Sequence, residues 1–132
     1  MNSKIIIFTI VTWFLFMLIA IINAILRNTV YKPIIGDLRA HQLSTLIFIS
    51  LIIISTYIIL KFFNIKLSTN ESFIIGTIWL ISTICFEFIA GVYVFGNTWD
   101  KLLADYNILK GRIWSLVLII IFFSPYITNK IT

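Results

Sequence analysis

Apolar residues fall into four long runs along this chain, over residues 5–26, 43–63, 73–96 and 113–127, with short polar stretches between them. At 1.5 Å per residue the first run is about 33 Å long, enough to cross a hydrocarbon layer of about 30 Å as a helix. Ile22, Asn23 and Ala24 crudely resemble a signal-cleavage site. A signal's apolar region is only about 7–15 residues, so the run reads as a span instead. The fourth run is the shortest, and Ser124-Pro125 near its end predicts that the helix stops there. The pattern predicts an all-α fold: one domain, an integral membrane bundle of four transmembrane helices.

The polar stretches are unequal. Residues 64–72 form a plain linker with nothing catalytic in it. Residues 28–42 hold Tyr31, Lys32, Pro33, Gly36, Asp37, Arg39 and His41. Pro33 and Gly36 are expected to break helix there, and Asp37 to N-cap the second span. Over residues 97–112, Trp99, Leu102, Leu103, Tyr106 and Leu109 recur at helical spacing with charges off the stripe. That spacing predicts a short amphipathic helix at the interface, anchored by Trp99 and Tyr106. Four spans put both rich stretches on one side of the membrane and leave the other side plain.

Composition agrees with the pattern. Of 132 residues, 61% are hydrophobic and 11% charged, and mean hydropathy is +1.08. Soluble domains hold about 25% charged residues, which excludes a water-soluble domain. The net charge of +5 comes from Lys and Arg spread among the polar stretches. They read as anchors to lipid headgroups, not as a nucleic-acid surface. The rich side carries Arg27, Lys32, Arg39, Lys101, Lys110 and Arg112, against Lys4, Lys61, Lys66 and Lys130 on the plain side. The excess leans towards cytoplasmic rich loops in a multi-pass protein of a bacterial inner membrane.

Glu87 is the one charge well inside a run. A charge at membrane depth costs roughly 2.5–3.5 kcal/mol on insertion scales and marks a functional site by default. Gly76, Thr83, Glu87 and Gly91 share a stripe of small and polar residues, while Asn23 lies one turn before Arg27 in the first run. The expected ligand or ion pathway is Glu87, Asn23, Arg27, Arg39, His41, Asp105, Tyr106, Asn107 and Arg112. Arg27 or Arg112 would offset the charge of Glu87. Each residue also has a structural reading: Glu87 as half of a register-setting ion pair, Asn23 as an interhelical hydrogen bond. By the same token the arginines are snorkelling helix ends, and the glycines are close-approach positions. No cluster has metal-ligand spacing, no phosphate loop or nucleophile elbow is present, and no cofactor is expected. Cys85 reads as a small buried apolar residue.

The first pair of spans with its rich loop can be laid against the second pair with its own, a layout that allows a pseudo-twofold axis along the membrane normal. Four helices enclose little volume, so a homo-oligomer in contact with membrane lipids is expected. Arg39-Ala40-His41-Gln42-Leu43-Ser44, and Leu102-Leu103-Ala104-Asp105-Tyr106-Asn107 followed by Gly111-Arg112, resemble a family of small four-helix bacterial membrane proteins without assigned function. That resemblance covers the two rich loops and Glu87, about half the chain, and implies no activity. Length, four helices and Arg39-Ala40-His41 also resemble the MAPEG enzymes. That likeness implies glutathione-dependent trimers acting on lipophilic substrates. Those enzymes carry Asn two residues after the His and Glu three after that, where this chain has Leu43 and Leu46. The leading expectation is transport or conduction of an ion or small polar solute. The alternatives are an enzyme acting on a lipid or lipophilic substrate through His41 or Glu87, and a non-catalytic assembly or lipid-binding subunit.

Overall fold

The computed structural model describes residues 2–94, 96, 98–100 and 114–131. Among them every regular element is helical. Helix α1 is Ser3–Leu26, followed by a π-helical segment Arg27–Tyr31 and a single turn α2, Lys32–Ile35. Helix α3 is Asp37–Phe62 and α4 is Thr69–Ile89, which runs into a second π-helical segment, Ala90–Val94. Helix α5 is Trp114–Ile131. Three continuous stretches, Ser3–Ile35, Asp37–Phe62 and Thr69–Tyr93, are long and apolar enough to cross a membrane, and Ser115–Ile131 is a shorter apolar helix.

Local chemistry sets the helix ends. Asn2 caps α1, its side chain accepting from the Ile5 N–H at 2.9 Å. Between α1 and α3 only Gly36 interrupts the helix, at φ +87°, a region open to glycine. Pro33 does not break it; it lies in the single turn α2, directly after the π-helical segment Arg27–Tyr31. Asp37 is the first residue of α3, and Gly36 holds the N-cap position instead; the Asp37 carboxylate stands 3.9 Å from the Lys32 amine. Helix α3 therefore begins six residues before the apolar run that announced it. Its far end closes on Asn64, at φ +52°, with the Ile65 N–H bonded to Leu60 O at 2.9 Å and the Asn64 N–H to Lys61 O at 3.3 Å. A capping box then opens α4: Ser68 Oγ accepts from the Glu71 N–H and Glu71 Oε1 accepts from the Ser68 N–H.

Pro125 does not end the fourth helix. It lies inside α5, which continues to Ile131. Proline has no N–H to offer the carbonyl four residues earlier, that of Ile121. The Ser124 hydroxyl donates to that same carbonyl at 3.2 Å. The helix is thus repaired from its own side chains, as apolar surroundings demand.

Helix α5 lies between α3 and α4 and packs closely on both, while α1 crosses α3 and touches α4. Helices α4 and α5 come close at Gly76, where a β-carbon would run into the carbonyl oxygen of Phe122. Trp79, Phe16, Phe48, Ile52, Ile75, Val117 and Ile121 fill the centre. Two indoles tie α1 to α4. Trp79 Nε1 donates to Thr9 O at 2.9 Å and Trp13 Nε1 donates to Thr83 Oγ1 at 3.1 Å. Both rungs join residues 70 apart, so the helices run parallel in one fixed register. At the other end Asn129 grips the linker, accepting from the Leu67 N–H and donating to Leu67 O, each at 2.9 Å.

Candidate functional site

Thr83 and Glu87 are one turn apart on α4, on the face that carries Gly76 and Trp79 towards the other helices. Thr83 is buried and holds the Trp13 indole, so the stripe of small and polar residues is spent on helix contact up to that point. Glu87 follows, partly exposed, in the last turn before the π-helical segment Ala90–Val94. Such segments widen the helix by one residue per turn and often occur at functional positions. The 70-residue register with α1 sets Glu87 level with Met17. Asn23 is then about 9 Å, and Arg27 about 15 Å, further towards the rich end at 1.5 Å per residue.

Asn23 is buried, and its Nδ2 donates to Ser44 O at 2.9 Å, joining α1 to α3. His41, 4% exposed, sits one turn before Ser44. Its carbonyl accepts from both Ser44 Oγ, at 3.1 Å, and Thr45 Oγ1, at 2.7 Å. Asn23, His41, Ser44 and Thr45 thus form a buried polar knot that locks the rich ends of α1 and α3. Arg27 is partly exposed at the start of its π-helical segment, and Arg39 is exposed on the first turn of α3. Arg27, His41 and Glu87 are each engaged by a partner.

The structure therefore brings Asn23 and His41 together and sets Glu87 nearer the middle of the bundle. The amphipathic helix expected over 97–112, with Asp105, Tyr106, Asn107 and Arg112, lies outside the described residues apart from Thr98–Asp100. There Trp99 folds back on α4, stacking on Phe88 at 5.2 Å with planes 19° apart. Cys85 is exposed, not buried as its residue type suggested. Among the described residues no three His, Cys, Asp or Glu side chains converge in a way that could hold a metal ion.

Sequence reasoning missed Thr45 and the indole rungs. A signal existed for the rungs: Trp13 and Trp79 lie in mid-run, away from the interfaces where tryptophan is usually enriched. A buried indole N–H needs an acceptor, which points to a neighbouring helix. No protein-family model, curated protein or solved structure matches this chain.

Proposed function

We propose that this chain is an integral membrane protein of four spans whose oligomer transports or conducts an ion or small polar solute, with Glu87 as the ligand, gating or proton-coupling group. The observation that carries the reading is the partial exposure of Glu87 within an apolar helix. Glu87 lies about 21 Å along α4 from Phe73 and about 10 Å short of Val94. An ionisable group at that depth costs roughly 2.5–3.5 kcal/mol against lipid, so its exposed face calls for water or a second copy of the chain. A path through the middle and plain half of one protomer has no room. Phe16, Phe48, Ile52, Ile75, Trp79 and Ile121 occupy that volume at no more than 1% exposure each. The path would run between protomers, with the polar knot of α1 and α3 as a rigid wall at the rich, cytoplasmic end.

A second reading, an assembly or lipid-binding subunit without transport, is favoured by that same filled interior and by the use of Thr83 in helix contact. Flux into liposomes of purified protein separates the two, scanning protons, simple ions and small anions for the wild type beside Glu87→Gln. Flux abolished by the substitution, with fold and oligomer intact, supports the transport reading. A folded wild type that moves none of them leaves the assembly reading.

A further inference from the structure

Helices α1 and α3 touch at the rich end and part at the plain end. The Asn23–Ser44 bond fixes their antiparallel register, which sets Phe8 level with Ile59 and Lys4 level with Phe63. At those levels the helices do not close on each other. A groove of about 190 Å³ opens between them, its sides made by Ile7 and Val11 of α1 and by Ile59 and Phe63 of α3 and its end. Phe8 and Thr12, both buried, lie along its floor. Ile65 completes the lining near the plain end, held there by its backbone bond to Leu60.

We infer that this groove holds one acyl chain of an anionic phospholipid, with the headgroup phosphate on Lys4 and Lys66. The inference rests on the membrane-spanning part of the proposed reading and not on the role of Glu87. The lining is aliphatic and aromatic apart from Lys4 at the mouth and Thr12 at the inner end. From Lys4 to Thr12 is about 12 Å at 1.5 Å per residue, close to the roughly 15 Å depth of one leaflet. A straight apolar chain entering from the side, with its head at the mouth, fits both the length and the lining.

The charge at the mouth selects the head. The plain end carries Lys4, Lys61, Lys66 and Lys130 against a single acid, Glu71. The Glu71 carboxylate is already bonded to the Ser68 N–H in the capping box. Lys61 lies over the Tyr57 ring and Lys130 over the Tyr126 ring. Lys4 in the mouth, and Lys66 beside Ile65, are exposed and have no ion-pair partner among the described residues. One unneutralised ammonium group in the groove's lining, with a second on the residue that follows Ile65, complements a phosphate that bears net negative charge. A zwitterionic head would bring its own cation against them.

The test uses vesicles of equal parts phosphatidylglycerol and phosphatidylcholine. Protein reconstituted in them is first floated with the vesicles, then extracted in mild detergent, and retained lipids are counted by native mass spectrometry. The wild type is expected to keep one phosphatidylglycerol per chain in preference to phosphatidylcholine. Lys4→Gln and Lys66→Gln are each expected to cut that preference about fivefold. Val11→Trp, which fills the groove from its side, is expected to lose the bound lipid, while Lys130→Gln keeps it. Equal retention of the two lipids by the wild type, or wild-type retention by Val11→Trp, would overturn the inference. Protein that fails to float with the vesicles would remove the membrane reading itself, before any headgroup is compared.

Discussion

Gly76→Ala is expected to destabilise the bundle, although alanine is the better helix former. The added methyl would meet the carbonyl oxygen of Phe122, its carbonyl carbon at 3.0 Å and its Cα at 3.3 Å, all of them backbone. No rotamer change relieves such a clash; α4 and α5 must move apart, by roughly 1 Å to restore ordinary contact distances. A gap of that size forfeits a quarter to a half of each dispersion well along the seam, where Ile75, Val117 and Ile121 are fully buried. Overpacking of this kind costs about 2–3 kcal/mol, and helix propensity returns about 1 kcal/mol, leaving a net loss of about 1–2 kcal/mol. The assay is reversible unfolding in mixed micelles, followed by far-ultraviolet circular dichroism, with Thr77→Ala on the neighbouring exposed position as control. A Gly76→Ala protein at least as stable as the wild type would refute the close approach of α4 and α5.

The same unfolding assay reads the side-chain bonds. The Thr12 hydroxyl is buried with no hydrogen-bond partner among the described residues, so Thr12→Val is expected to stabilise by about 1 kcal/mol. Thr83→Val, which takes the acceptor from Trp13, is expected to cost about 1 kcal/mol. Asn129→Leu breaks both bonds to Leu67 and is expected to cost about 1–3 kcal/mol, with faster amide hydrogen exchange at Leu67. Ser124→Ala is expected to cost about 1 kcal/mol in the wild type and close to nothing beside Pro125→Ala, because an alanine N–H there satisfies the Ile121 carbonyl. Equal costs of Ser124→Ala in the two backgrounds would show that the hydroxyl does not compensate for the proline.

Hydropathy made the four helices legible, because Lys and Arg interrupt the apolar runs between them. It finds the apolar part of a helix, not the helix. Asp37 to Gln42 are polar, yet nothing in them stops a helix, so α3 starts at Asp37 and not at residue 43. The start of α4 was written in Ser68 and Glu71, a capping pair that a search for apolar residues passes over. Pro125 looked like a stop because its own N–H is missing; the compensating hydroxyl sits on the adjacent residue, and only three-dimensional geometry shows it in use. Glu87 stood out as a lone charge, and Asn23 as a polar residue in a span. Which helix Asn23 would reach could not be read, since a period identifies a face but not the neighbour opposite it. The choice of Ser44 O as its partner depends on how α1 and α3 are set in antiparallel register.

Thiol accessibility at position 87 reports what the exposed face of Glu87 meets. In a Cys85→Ser background, Glu87→Cys would be treated in sealed vesicles with a charged, membrane-impermeant thiol reagent, beside Ile58→Cys on the exposed apolar face of α3. Modification from one side at a rate well above that of Ile58→Cys, with the fold intact, is the predicted result and puts position 87 on an aqueous path. Protection equal to that of Ile58→Cys from both sides would contradict an aqueous path at Glu87.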